Sequence, residues 1–161
     1  MRLREFILII LFAGVPTSEV MAEAWNGIVP LRSTRADVER ILGPCEPDNF
    51  TRFSNRCRYD LPGIQSVFIT YSLRPCSMQE GWRFRVPKDV VRSIELHPSG
   101  NLKLGHMATK GFKIEEDPEL PGMFHYTNKT NGLYFVADGI NITTVNYLPS
   151  LSDRTRLECN F

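Results

Sequence analysis

The sequence predicts an α+β fold: a single antiparallel β-sheet of five to six strands with a short N-terminal helix packed on one face. Three observations predict it. A short, well-punctuated amphipathic stretch, Thr34–Leu42, lies in the first third of the chain. β-Branched and aromatic runs follow it at hairpin spacing, most clearly on either side of Asp138-Gly139. No internal repeat, low-complexity tract or long linker divides the 161 residues, which fits one domain able to bury a real core.

The chain opens with Arg2 and Arg4, then the apolar run Phe6–Val15, then polar Pro16–Glu19 and small residues at Ala22 and Ala24. That order is the order of a secretory signal peptide. The apolar run is well short of the roughly twenty residues that a membrane-spanning helix needs. We therefore expect residues 1–22 to be a signal peptide, with cleavage after Ala22 or Ala24, and residues 23–161 to be the single α+β domain. The first cysteine is Cys45, so no cysteine stands at the cut to carry a lipid, and no stable membrane anchor is expected after cleavage.

Ser33 or Thr34 can cap the helix, with Asp37 three residues after Thr34 in a capping-box spacing. Val38, Ile41 and Leu42 make an apolar stripe that must dock on a sheet, because so short a helix is not stable alone. Arg35–Glu39 and Asp37–Arg40 are spaced to pair on the wet side. Gly43 and Pro44 end the helix.

Cys57–Asp60 and Gln65–Ser72 flank Pro62-Gly63, which suits the centre of a type II turn. The run Ser66–Ser72 reads as a central strand. Val90–His97 is the next strand. Leu102–Asp117, with two glycines and no clean period, reads as a loop or irregular cover. Met123–Thr127, Leu133–Ala137 and Ile140–Leu148 form a three-stranded meander, and the stretch from Pro149 to Arg156 is a polar tail.

Four cysteines, Cys45, Cys57, Cys76 and Cys159, are an even count in a chain read as exported, which implies two disulfides. They allow three pairings. We expect Cys45–Cys57, closing a short polar loop behind the helix, and Cys76–Cys159, tying the C-terminal segment to the body.

The net charge is +1, with no basic run. Such a surface offers neither the electrostatic footprint of a nucleic-acid binder nor a polybasic patch for anionic lipid. His97, His106 and His125 show no metal-ligand or catalytic spacing, and no nucleophile motif or phosphate loop is present. We expect no catalytic residue, no metal and no cofactor. Glu115-Glu116-Asp117 reads as a solvated loop. Sequons occur at Asn49, Asn128 and Asn141; a bacterial origin, which we expect, leaves them without glycan. Trp82, flanked by Arg83 and Arg85, is the candidate partner contact, since tryptophan and arginine are enriched where proteins dock.

The segment Ile28–Pro44 resembles one found in an uncharacterised family of small exported bacterial proteins. In these a hydrophobic lead-in, Ser-Thr, a short helix and Leu-Gly-Pro recur near the mature N-terminus. The likeness extends to Cys57-Arg58-Tyr59, to the strand at Val67–Ser72, to Arg74-Pro75-Cys76, to Gly81–Ile94 and to Leu157-Glu158-Cys159. It also implies the pairing of Cys76 with Cys159. A looser resemblance, over Ile28–Pro44 alone, is to the small lipoprotein of the outer-membrane β-barrel assembly machinery and to a secreted β-lactamase-inhibitor protein. Those act by binding proteins, on a helix-on-sheet design; this chain departs from the lipoprotein in lacking a cysteine near the signal cut and in carrying four others. The expected function is that of a periplasmic or extracellular non-enzymatic protein, a binding or accessory module contacting another envelope or secreted protein. The alternative is a small exported hydrolase or ligand-binding domain that gathers His97 or His125 with a carboxylate in a concave pocket.

Overall fold

A computed structural model describes residues 24–47, 55–77, 83–100 and 102–159. The expected signal peptide, the sequon at Asn49 and the candidate contact Trp82 lie outside these residues.

The chain folds as an α+β domain around one antiparallel sheet. Helix α1 (Arg35–Leu42) is followed by β1 (Glu46–Pro47), β2 (Arg56–Leu61), β3 (Ile64–Tyr71) and β4 (Val91–Pro98). A 3-10 turn at Leu104–His106 leads to β5 (Lys113–Glu116), β6 (Met123–Asn128), β7 (Leu133–Asp138), β8 (Asn141–Tyr147) and helix α2 (Leu151–Leu157). The strand order is β1-β2-β3-β4-β8-β7-β6-β5. Seven of these strands have four or more residues and β1 has two, so the sheet is wider than the five to six strands expected. The additional strands are the two edges, too short to show a period in the sequence.

The topology is two antiparallel meanders joined side by side where β4 pairs with β8, Leu96 opposite Val145. After β4 the chain crosses to the far edge, enters at β5 and returns strand by strand to the middle. Alternation along each strand sends one set of side chains to a buried inner face. Cys57, Tyr59, Val67, Ile69, Tyr71, Val91, Ile94 and Leu96 form that face in the first meander, and Tyr126, Leu133, Phe135, Ala137, Ile142 and Val145 in the second. Leu102, Leu104, Met107 and Phe112, from the crossing segment, pack against this core. That segment is therefore a cover, as expected, but it ends in a true strand, β5.

Helix α1 closes the inner face of the first meander. Thr34 caps it in a capping box: its hydroxyl accepts from the Asp37 N–H at 3.3 Å and its N–H donates to the Asp37 carboxylate at 2.9 Å. Val38 is fully buried and Leu42 packs beside it, whereas Ile41 is 44% exposed, so the docking stripe is narrower than expected. Arg35 does not pair with Glu39. It turns toward the sheet, donating to Asp89 at 3.2 Å with its guanidinium 4.2 Å from the Tyr71 ring centroid. Gly43 takes φ +90° at the C-cap.

A second, smaller core forms at one end of the molecule from Leu31, Phe84, Val86 and Val90, with Leu157 packed against it. The polar tail expected from residue 149 onward is helix α2, which delivers Leu157 to this cluster. Ser150 caps α2, accepting from the Asp153 N–H at 3.1 Å and donating to its carboxylate at 2.8 Å. Asp153 is only 1% exposed and accepts from Arg32 at 3.3 Å and Arg156 at 2.9 Å, which compensates the buried charge. Both expected disulfides are present, Cys45–Cys57 and Cys76–Cys159, with Cα separations of 5.5 and 5.8 Å. No helix among the described residues is long and apolar enough to cross a membrane.

Candidate functional site

The outer face of the sheet carries the alternate residues of every strand. Registers place Arg58 beside Phe68, Phe68 beside Glu95, Glu95 beside Asn146, and Asn146 beside Tyr134. These side chains are half-buried.

Two groups stand out on this face. In the first, the Phe68 ring is bordered by the guanidiniums of Arg56 and Arg58, 4.1 and 6.0 Å from its centroid, and by the edge of His97 at 5.6 Å. Glu95 links the group, accepting from Arg56 at 3.1 Å and contacting His97 Nε2 at 2.7 Å. Arginine stems and an aromatic ring together offer apolar area and positive charge at one place.

The second group lies across β5, β6 and β7. His125 Nε2 is 2.8 Å from the Asp117 carboxylate and His125 Nδ1 is 2.6 Å from the Tyr134 hydroxyl. The hydrogen bond from His125, with backbone N–H bonds from Glu119 and Leu120, holds the Asp117 carboxyl below the usual range. An ionised Asp117 accepts a proton from Nε2, and Nδ1 stands within hydrogen-bond distance of the Tyr134 hydroxyl. Desolvation, then the Asp117 charge, pushes the Tyr134 phenol up, which keeps it a donor and not a phenolate base. With both ring nitrogens engaged, His125 is a positioned side chain and not a free metal ligand.

The other residues singled out in the sequence fall as follows. Arg83 and Arg85 flank buried Phe84, and this segment pairs with the C-terminal one: Arg85 N–H donates to Leu157 at 2.7 Å and Cys159 N–H donates to Arg83 at 2.9 Å. Arg85 is exposed. His106 is exposed on the 3-10 turn. Of the acidic trio, Glu115 and Glu116 are exposed on β5 and Asp117 follows it: Glu115 pairs with Lys113 at 2.7 Å, Glu116 accepts from the Gly122 N–H at 3.0 Å, and Asp117 holds His125. Among the described residues no group of three or more His, Cys, Asp or Glu side chains could hold a metal ion. Asn128 and Asn141 stand at strand ends, each half-buried.

Compared with protein families, curated proteins and solved structures, the chain matches none of them. The site is therefore read from its own geometry. Sequence reasoning missed Arg56, Phe68, Glu95, Asp117 and Tyr134. The signal for the first group was present in the alternation Arg56, Arg58, Asp60 against Cys57, Tyr59, and in Phe68 standing on the polar side of its strand. The second group joins residues 117, 125 and 134 through strand pairing, which no local spacing reveals.

Proposed function

We propose that this chain is an exported, non-enzymatic binding or accessory module that contacts another envelope or secreted protein through the outer face of its sheet. The observation that carries this reading is the Phe68 group. It places a half-buried aromatic ring against two guanidiniums on the outer face of the sheet, and aromatic residues and arginine are enriched at the centres of protein contacts. Two disulfides fit an oxidising compartment. The alternative, a small hydrolase or ligand-binding domain, draws support from the carboxylate–histidine contact of Asp117 and His125. It is weakened by the engagement of both ring nitrogens and by a tyrosine held protonated. A cavity of about 730 Å³ is bordered by Gln65, Pro98 and Asn141, and neither His97 nor His125 lines it.

A crosslinked pull-down of the tagged mature protein from its host's exported fraction, read by mass spectrometry, tests the proposal. One recurrent partner is expected, lost on Phe68→Ala and on Arg58→Glu while the thermal midpoint of the Arg58 variant stays unchanged. Loss on Trp82→Ala alone would move the contact from the sheet face to the 82–85 segment. No partner above background would overturn the reading.

A further inference from the structure

We infer that the β5 edge of the sheet is a self-association surface whose occupant is β5 of a second copy of this chain, paired antiparallel about a two-fold axis at Ile114. The two edges of the sheet differ. At one, β1 has only two residues, one of them Pro47, which has no N–H to offer, a common way of blunting an edge. At the other, all four residues of β5 are exposed, Ile114 by 52%, and no strand among the described residues pairs with its outer side.

The ladder fixes which backbone groups face outward. The Asp117 N–H donates to Met123, the residue opposite it, at 2.8 Å. Bonded pairs alternate along an antiparallel ladder, so Lys113 and Glu115 direct their backbone groups to β6. Ile114 and Glu116 direct theirs to the free edge. The side chains alternate as well: Lys113 and Glu115 stand on the outer face, Ile114 on the inner face.

A second copy turned about Ile114 complements this edge in its backbone pairing at Ile114 and in the order of its charges. Ile114 exchanges N–H and C=O bonds with Ile114 of the second copy, and the Glu116 N–H reaches the free carbonyl of Phe112. On the inner face the two exposed isoleucines meet. On the outer face Lys113 lies directly opposite Glu115 of the second copy, and Glu115 opposite Lys113, in the closely spaced, non-bonded pairs where side chains interact most. Within one copy these two residues already pair at 2.7 Å, so the charges are placed and complementary before association. A strand lacking this charge order would set like charges opposite or leave them unpaired, so the lysine and glutamate that protect the edge from other strands select a copy of it. The pairing extends the sheet and leaves the outer face of both copies open, so it is independent of the partner proposed above.

Sedimentation equilibrium of the purified, disulfide-bonded protein at micromolar to millimolar loading tests this. A concentration-dependent dimer is expected. Lys113→Glu and Glu115→Lys should each weaken it by about tenfold, since both cross-strand pairs turn repulsive. An equimolar mixture of the two variants should restore it, because each then meets its opposite. Ile114→Pro should abolish it with β6 pairing intact, since that N–H faces away from β6. A protein monomeric at every loading, or a dimer indifferent to both charge changes, would overturn the inference.

Discussion

At the scale of single residues, the outer face shows how a histidine is put to use without becoming a ligand. His125 is fixed by Asp117 at one nitrogen and Tyr134 at the other. Asp117 also ends β5 and caps the turn that follows, through its bonds from Glu119 and Leu120. Its folded carboxyl lies below the ordinary range, so ionised Asp117 stabilises the fold. The sign follows from linkage: the contribution is complete above the unfolded value, about 4, and is lost as pH falls through the lower folded value. Asp117→Asn should lower the thermal midpoint at neutral pH, and the two midpoint curves should converge in acid. Parallel curves across the acid range would show that the carboxylate charge is not what stabilises this corner. This group was illegible in the sequence because strand pairing assembles it across positions 117, 125 and 134, and the run Glu115–Asp117 reads by composition as solvated loop. Val38, the Asp37 capping box and the cysteines were legible, because each rests on local spacing or on a count.

Elements were read in proportion to their local signal. The hairpins at Pro62-Gly63 and around Asp138-Gly139 form where turn chemistry placed them, with Gly63 at φ +79° and Gly139 at φ +57°. The second loop is Gly139-Ile140, closed by Asp138 opposite Asn141; positive φ at the first central residue only is the pattern of a II′ turn. Helix α2 was missed because it has one apolar anchor, Leu157, and no stripe; its only local mark is Ser150 three residues before Asp153. Gly132 stands in the turn between β6 and β7. Its φ is +71°, and a Cβ there would fall 2.0 Å from the backbone oxygen of Leu148, the residue whose N–H donates to Gly132. Gly132→Ala should therefore cost about 3 kcal/mol or more, combining left-handed strain with a backbone clash. Gly63→Ala, at similar φ with nothing within 4 Å, should cost about 1 kcal/mol, from strain alone. Denaturant unfolding of both variants checks this; equal losses would mean the β6–β7 turn relaxes away from Leu148 freely.

Across the whole molecule, two cores of unequal size carry unequal dependence on the disulfides. The main core spans the sheet and is sealed by α1 and the crossing segment, and Cys45–Cys57 adds a closed loop of sequence separation 12 to it. The smaller core holds four buried residues and Leu157. It joins the N-terminal segment, the 84–90 segment and α2, parts distant in sequence, and Cys76–Cys159, of separation 83, closes them together. In the chain-entropy treatment the long loop contributes roughly 4–5 kcal/mol and the short one about 3 kcal/mol, before strain. Helix α2 is too short to persist by itself, and its buried Asp153 needs Arg32 from the opposite side of the cluster. Loss of Cys76–Cys159 should thus lower the thermal midpoint and open this end before the sheet. Hydrogen exchange on Cys76→Ser/Cys159→Ser should show lost protection at the Arg85 and Glu158 amides, which bond to Leu157 and Arg154, with protection retained at Ile69, Ile94 and Phe135. The Cys45→Ser/Cys57→Ser variant should instead loosen the region around β2 and leave Arg85 and Glu158 protected. An unchanged midpoint after reduction, with the reduced mass confirmed, would show that the smaller core stands on Phe84, Val86 and Leu157 without its covalent tie.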